Sequence, residues 1–404
     1  MKVLLVNKFH WLKGGSETYY FELGKLLEEH GHEVAYFSME NEKNIKTGNK
    51  EYFVKATDMN SKDITKALKV IYSNENKKMM EKALDDFKPD LVHVNNFQRQ
   101  LTASVIDAAK KRNIPVVFTA HDVQAICPAI LLMDPQRNIR EASMGGKYTN
   151  CIKKKCIKNS MLKSILGAVE GSFYRNTKVY TKKIDYVLPP SEFYMKKLIK
   201  DGIPKDKISY LHNFIDVDAF DVKTEDKGYA LYFGRLSREK GIINLINAFA
   251  KLDKGTLYIA GDGPEKEEVE QVFKENKLQK RVKLLGFLNK DEMKETIRKA
   301  KFVVVPSIWY ENCPYSVIET LCTGKPVIGA DIGGIPELVK DNKNGFIYKY
   351  DDTDELASKM KILFEDDKLV KKFSEQAKKI AKEQYSKENY YKEIMKIYNK
   401  LVQK

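Results

Sequence analysis

Residues 311–319 read Glu-Asn-Cys-Pro-Tyr-Ser-Val-Ile-Glu, two carboxylates eight positions apart with a proline between them. The apolar run Phe-Val-Val-Val-Pro (302–306) reads as a strand, the next residues as a turn, and a helix is expected to open near Pro314, where a missing N–H costs nothing. The amides of Tyr315 and Ser316 would then stand at the positive end of that helix and form a seat for an anion. Carboxylates beside a bound diphosphate would repel it unless they face hydroxyl groups. The chemistry that fits is a phosphate seat flanked by two readers of sugar hydroxyls, Glu311 for a polyol and Glu319 for a ribose. Taken alone, the stretch also suits a helix with ordinary acidic capping.

Three other stretches carry related chemistry. Gly14 and Gly15 follow the first apolar run and precede a helix, which lets backbone amides approach a ligand closely. Arg235 and Lys240, in Tyr-Phe-Gly-Arg-Leu-Ser-Arg-Glu-Lys-Gly (232–241), place two cations near a helix start, a pair suited to a diphosphate. Ala-Gly-Asp-Gly (260–263) imitates a dinucleotide fingerprint, but Lys266 stands where the third glycine belongs, so a tight turn is expected and a hydride-transfer enzyme is disfavoured.

The elements that must position these residues are legible as alternation. Short apolar runs (KVLLVNKF, HEVAYFS, DLVHVNN, PVVFTAH, DYVLPPS, ISYLHN) read as buried strands and alternate with helical patterns. One of these, SETYYFELGKLLEEHG, has Ser16 as its expected N-cap and Gly31 as its stop. A polar stretch at 216–228 interrupts the pattern. A second series follows: YALYFGRL, GTLYIAGDG, VKLLGFL, FVVVPS, PVIGAD and NGFIYK. Alternating strands and helices imply α/β architecture with parallel sheets covered on both faces. Two doubly wound Rossmann-like domains, 1–215 and 216–384, fit the 404 residues, with an amphipathic helix over 385–404. Ligands of such sheets sit at the carboxyl ends of the strands, where all four stretches fall.

Composition bounds the rest. Five cysteines without a recognisable signal segment argue against a disulfide framework and for a cytoplasmic protein. The formal net charge is +15, and residues 1–190 hold 31 basic against 21 acidic residues. That excess suits a lysine-rich solvated surface, an anionic substrate, an anionic membrane or nucleic acid.

YENCPYSVIETLCTGKPVIGADIGGIPELVKDNKNGFIY (310–348) resembles the signature of glycosyltransferase family 4, with its glutamate, seven residues and second glutamate. YFGRLSREKG, IAGDGPE, LLGFL and the early GGSE fall in that family's order, so the resemblance covers nearly the whole chain. It implies the GT-B fold, two Rossmann-like domains facing across a cleft, with the C-terminal helix crossing back to the first. It also implies retaining transfer of a hexose from a nucleotide diphosphate sugar, UDP ahead of GDP, with no metal or other cofactor. Carried over to this sequence, Arg235 and Lys240 clamp the diphosphate, beside Gly234. The amides of Tyr315, Ser316, Gly14 and Gly15 complete its cradle, and Glu319 holds the ribose. Glu311, helped by the Cys313 amide, holds the donor sugar, Phe287 and Leu288 border the base, and His121 lines the donor-sugar and acceptor side. His93 and Asn213 are expected to be supporting residues. No general base stands out, and the leaving phosphate is expected to take the acceptor proton.

One region departs from the family. Some relatives carry a CxxC pair after the histidine strand, where Arg140 and Ser143 stand here, leaving Cys127, Cys151 and Cys156 without a four-ligand set. Residues 151–183 interleave lysine with apolar residues, the pattern of a helix lying on an anionic membrane. The expected acceptor is therefore a glycan or a lipid-linked glycan, met at the inner face of the membrane. A nucleotide-sugar epimerase on the same fold is the nearest rival. A nucleic-acid module fits the charge but has no recognition motif.

Overall fold

The computed structural model describes residues 1–57, 69–136, 138–220 and 225–403. The chain forms two compact units, Met1–Leu211 with Tyr390–Lys404, and His212–Asn389. Both changeovers lie a few residues from the expected boundaries at 215/216 and 384/385.

Unit 1 is built on a parallel sheet of six strands: β1 (Lys2–Val6), β2 (Glu33–Met39), β3 (Lys50–Val54), β4 (Leu91–Val94), β5 (Val116–Thr119) and β6 (Tyr186–Leu188). Their order across the sheet is β3-β2-β1-β4-β5-β6. Val3–Val6, Leu91–Val94 and Val116–Thr119 are buried throughout, as strands covered on both faces must be. Two expectations fail at the sheet's edges. β3, Lys-Glu-Tyr-Phe-Val, is a half-exposed edge strand whose polar start hides it from an apolar-run reading. The run Ile208–Asn213 is not a ladder strand: it makes an isolated bridge, Ile208 to Val187, with the Ser209 and Leu211 amides donating to the Val187 and Pro189 carbonyls at 3.4 and 3.1 Å.

The first helix, Gly15–Glu29, is capped by Gly14, not by Ser16. Ser16 lies inside the first turn and donates to Glu17 Oε1 at 3.0 Å. Gly31 has φ of 78° and follows the helix end, as a stop residue should. The C-terminal helix Lys387–Val402 buries Tyr390, Ile394 and Tyr398, one face at helical spacing. Tyr390 shares a hydroxyl hydrogen bond with Tyr19. Tyr398 meets Nδ1 of the fully buried His93, whose Nε2 contacts Thr119 Oγ1 at 2.7 Å. The resulting hydroxyl and imidazole cluster ties that helix to β4 and β5.

Unit 2 has a parallel sheet of six strands as well: β7 (Tyr229–Phe233), β8 (Thr256–Ala260), β9 (Val282–Gly286), β10 (Phe302–Val305), β11 (Val327–Ala330) and β12 (Gly345–Tyr348). Their order is β12-β11-β10-β7-β8-β9. All six match the expected runs. The loops after β7 and β8 are packed backbone to backbone. A Cβ on Gly261, at φ of 137°, would lie 1.9 Å from the Gly234 carbonyl oxygen, and one on Gly263 would lie 2.3 Å from that of Leu236. The Gly-Asp-Gly stretch is therefore a turn held by close approach to the Arg235 loop.

Candidate functional site

In unit 2 the chemistry-bearing residues gather beyond β7, β9 and β10. β7 and β10 are neighbours whose connections run to opposite sides, the switch point where such sheets bind ligands. Glu311 lies in the loop after β10 and is buried, with Oε1 accepting from Lys240 Nζ at 2.6 Å, Ser307 Oγ at 2.8 Å and Trp309 Nε1 at 2.9 Å. Lys240 comes from the short helical turn Arg238–Lys240 after β7, so the ion pair spans the switch point. The two loops also touch through backbone: a Cβ on Gly241, at φ of 70°, would sit 1.8 Å from the Pro306 carbonyl oxygen. A second glycine, Gly333 at φ of 62°, presses on Glu311 in the same way, and the Gly334 amide donates to the Glu311 carbonyl at 2.7 Å. Glu311 is thus fixed from both sides.

The helix after this loop spans Tyr315–Cys322, with Pro314 as its N-cap. Proline sits one position earlier than expected. Its ψ of 124° keeps it extended, while its carbonyl accepts from the Val317 amide at 3.1 Å. The amides of Tyr315 and Ser316 remain at the helix's positive end, as anticipated. Cys313, just before, is buried, and burial pushes its thiol up to about 12. Asn213 holds it, donating through Nδ2 to the Cys313 carbonyl at 2.9 Å and through its amide to Sγ at 3.4 Å.

Glu319 is half-buried on the second turn of this helix. Burial raises its pKa to about 7, against the opposing fields of Lys290 and Lys294. Among the described residues, none donates a hydrogen bond to its carboxylate. Arg235 is exposed beyond β7, and none of the described residues bonds its guanidinium. Gly234 before it has φ of 151°. Phe287, beyond β9, is 81% exposed, an unusual position for a phenylalanine, and Leu288 is half-buried beside it. Unit 2 therefore gathers Gly234, Arg235, Lys240, Phe287, Leu288, Glu311, Cys313, Tyr315, Ser316 and Glu319 at one end of one sheet.

The remaining sequence-derived residues belong to unit 1. His121 follows β5, and its Nε2 lies 2.8 Å from Asn95 Oδ1. Asn95 Nδ2 points to the Val6 carbonyl, which leaves its oxygen toward the histidine. Burial lowers the His121 pKa to about 3, so the ring is neutral, Nε2 donates and Nδ1 keeps its lone pair. Gly14 and Gly15 are exposed at the start of the first helix. A Cβ on Gly14 would meet only Glu17 Oε2, at 3.8 Å, so local packing does not demand glycine there. Cys127, Cys151 and Cys156 come together as free thiols, Cys151 hydrogen-bonded to Cys156, but among the described residues no three His, Cys, Asp or Glu side chains are arranged to hold a metal ion.

Sequence reasoning missed Ser307, Trp309 and Asn95, which orient Glu311 and His121. Ser307 and Trp309 lie within four residues of Glu311, so their donors stand in the same short loop of the sequence. Asn95 is 26 positions from His121 and gave no local signal.

Residues 13–219 match the family described as Glycosyltransferase Family 4, and residues 215–380 match Glycosyl transferases group 1. Among curated relatives, an uncharacterized glycosyltransferase of Methanocaldococcus jannaschii is 29% identical over 213 residues, 48% of this chain and 54% of its own length. A Campylobacter jejuni N-acetylgalactosaminyltransferase, named for a diphospho-undecaprenol-linked substrate, is 29% identical over 252 residues, 60% of this chain and 67% of its own. The chain thus spans about half to two thirds of the length of these relatives. Among solved structures, Anabaena HepE in complex with UDP superposes with a TM-score of 0.70 at 18% identity, covering 99% of this chain and 100% of that one. Two doubly wound sheets, a glutamate pair beside a helix start, and family matches that together run from residue 13 to 380 agree: the chain belongs to the group 1, family 4 glycosyltransferases of GT-B fold.

Proposed function

We propose that the protein is a retaining transferase that moves a hexose from a nucleotide diphosphate sugar, UDP-linked ahead of GDP-linked, to a glycan or lipid-linked acceptor in surface polysaccharide synthesis. The observation that carries this reading is the contrast on neighbouring strand ends of unit 2. Arg235 offers a guanidinium, and Glu319 a carboxylate, that no described residue bonds. A nucleotide diphosphate has a complement for each, phosphate for the cation and ribose hydroxyls for the carboxylate. The relatives' names support the class, since one is named for a sugar transfer onto a diphospholipid-linked glycan and a structural neighbour was solved with UDP.

In the proposed reaction, the bond from the anomeric carbon to the leaving phosphate oxygen breaks. A bond to the acceptor hydroxyl oxygen forms on the same face, and the acceptor proton passes to the leaving phosphate. Negative charge builds on the diphosphate, where Arg235, Lys240 and the amides of Tyr315 and Ser316 would stabilise it most in the transition state. Lys240 has three N–H donors, so it can keep Glu311 and still reach phosphate. Glu311 takes a donor-sugar hydroxyl, and Phe287 with Leu288 borders the base. On unit 1, Gly14 and Gly15 take a phosphate role and His121 a sugar role, as the family resemblance implies. No metal enters this scheme.

The acceptor side is assigned to unit 1, with peripheral contact to an anionic membrane. Its support is the helix Met161–Asn176, which exposes Met161, Leu162, Ile165 and Val169 next to Lys153, Lys154, Lys155 and Lys158. Among the described residues no helix is long and apolar enough to cross a membrane.

A melting-temperature panel with UDP, GDP, their sugar conjugates, NAD and duplex DNA tests the donor. A nucleotide at about 100 times its Kd should add about 2.7 kcal/mol of stability, and Arg235→Ala should remove that shift. No shift with any nucleotide, with a salt-sensitive shift on DNA, would overturn the reading.

A further inference from the structure

Unit 1 has its own switch point, between β1 and β4, and a cavity of about 320 Å³ opens beside it. Lys8 follows β1, Gln98 and Arg99 follow β4, and Gln124 follows β5, so three adjacent strand ends supply its floor. Lys13, Lys158 and Lys163 complete a ring of five cations. The acidic side chain lining the cavity is Glu170, and it is committed. Its carboxylate holds the Arg99 amide at 3.1 Å and Arg99 Nε at 3.5 Å, while Arg99 Nη2 reaches the Pro128 carbonyl at 2.8 Å. Arg99 keeps this posture at φ of 68°, a strained backbone for a non-glycine residue.

Four lysines therefore face the cavity beyond the Arg99–Glu170 pair. Burial lowers the pKa of Lys8, and Arg99 and Lys13 push it the same way, while Asp122 and Glu17 oppose them. Gln124 supplies a second, independent sign. It is 7% exposed, and neither its Nε2 nor its Oε1 has a hydrogen-bond partner among the described residues. A buried amide with both ends unmet costs free energy that a ligand would recover. Ile130, Ile157 and Leu166 add an apolar wall to the lining. At 100° per residue, Leu166 borders Leu162 on the helix Met161–Asn176, so that wall runs toward the exposed face carrying Leu162, Ile165 and Val169.

We propose that this cavity is the acceptor-side seat for a phosphoryl group joined to an apolar chain, the phosphoryl held by Lys8, Lys13, Lys158, Lys163 and Gln124, the chain lying along Ile157 and Leu166. The inference rests on the transferase reading, since it names the acceptor that such an enzyme would take.

The test uses the whole protein with its nucleotide site saturated by UDP or GDP, so that added diphosphate cannot occupy the donor seat. Farnesyl diphosphate, farnesol, inorganic pyrophosphate and a hexose phosphate are titrated by calorimetry. Lys158→Glu/Lys163→Glu should weaken farnesyl diphosphate roughly thirtyfold and leave nucleotide affinity unchanged. Gln124→Leu should weaken it about fivefold while leaving the melting temperature equal or higher, which a purely structural glutamine would not do. Farnesyl diphosphate at least tenfold tighter than pyrophosphate supports the proposal; pyrophosphate or hexose phosphate binding as tightly as farnesyl diphosphate overturns it, because the apolar chain then contributes nothing. Binding unchanged by the charge reversal, or farnesol binding as tightly as its diphosphate, overturns the proposal. Failure of every nucleotide to bind would instead fell the donor reading, a separate result.

Discussion

The two sheets are one design used twice. Counted from the start of each unit, both run third, second, first, fourth, fifth, sixth, and both place their chemistry beyond the first and fourth strands. What differs is the sign of the charge that gathers there. Unit 2 sets carboxylates at its switch point, Glu311 locked to Lys240 and Glu319 with no donor among the described residues, and the exposed Arg235 guanidinium beside them. Unit 1 sets lysines there, over an apolar wall and an unsatisfied buried amide. On the readings proposed above, the same frame would take hydroxyls and diphosphate in one unit and an anion with an apolar tail in the other. Loops carry the distinction while the strands stay alike. The charge surplus follows the same division, with two thirds of the net +15 arising in residues 1–190.

The sharpest way to break this comparison lies in unit 2. Lys240→Ala removes the cation from a buried carboxylate and a positive charge from the diphosphate seat. Turnover should fall about 10²–10³-fold, with a melting temperature several degrees lower, because an unpaired buried charge is costly. Single-turnover kinetics beside a thermal melt would separate the two effects. A variant with full turnover would show that Lys240 serves only to hold Glu311.

Glu319 gives a second test, with a pH signature. In an unfolded chain this carboxyl titrates near 4.5, and in the folded protein near 7. Between those values the folded state keeps a proton that the unfolded state has lost, so this group's contribution to stability declines as pH rises from 4.5 to 7. Glu319→Gln abolishes that loss and should be more stable than the parent at pH 8, by about 1–2 kcal/mol. Its nucleotide affinity should nonetheless be about tenfold weaker, since a hydrogen bond to a charged acceptor is worth about 1.5–3 kcal/mol. Parent affinity should climb from pH 6 to 8 while the variant's stays flat. A parallel rise in both would remove Glu319 from the ribose role.

The smallest expected effect concerns unit 1. Leu162→Ser/Val169→Ser should reduce co-sedimentation with anionic vesicles about three- to tenfold and leave binding to neutral vesicles at background. Vesicle binding that ignores this pair but disappears in high salt would assign membrane contact to the lysines alone.

The legibility of the two units also differs. Each strand of unit 2 falls in a short, mainly apolar run with turn residues behind it, Lys283 of β9 being the charged exception, and the Glu311–Glu319 stretch announces its own loop and helix. Its chemistry is contiguous, so a family resemblance could carry it residue by residue. The cavity of unit 1 is assembled from Lys8, Arg99, Gln124 and Lys163, which are dispersed along the chain and individually look like ordinary surface polar residues. Topology alone brings them together. β3 escaped for a related reason, since an edge strand needs no continuous apolar run. Ser16 misled because a serine before a helix is the usual cap, whereas Gly14 opened the helix two residues earlier.

Tyr19 and Tyr390 bond across 371 positions of chain. At ribosomal rates of about 5–20 residues per second, the first waits roughly 20–70 s for the second to be synthesised. Unit 2, His212–Asn389, is complete before then, although it begins later in the sequence. The nascent amino-terminal sheet consequently spends that interval with the surface around Tyr19, His93 and Thr119 uncovered, the period in which chaperone protection would matter most for this chain.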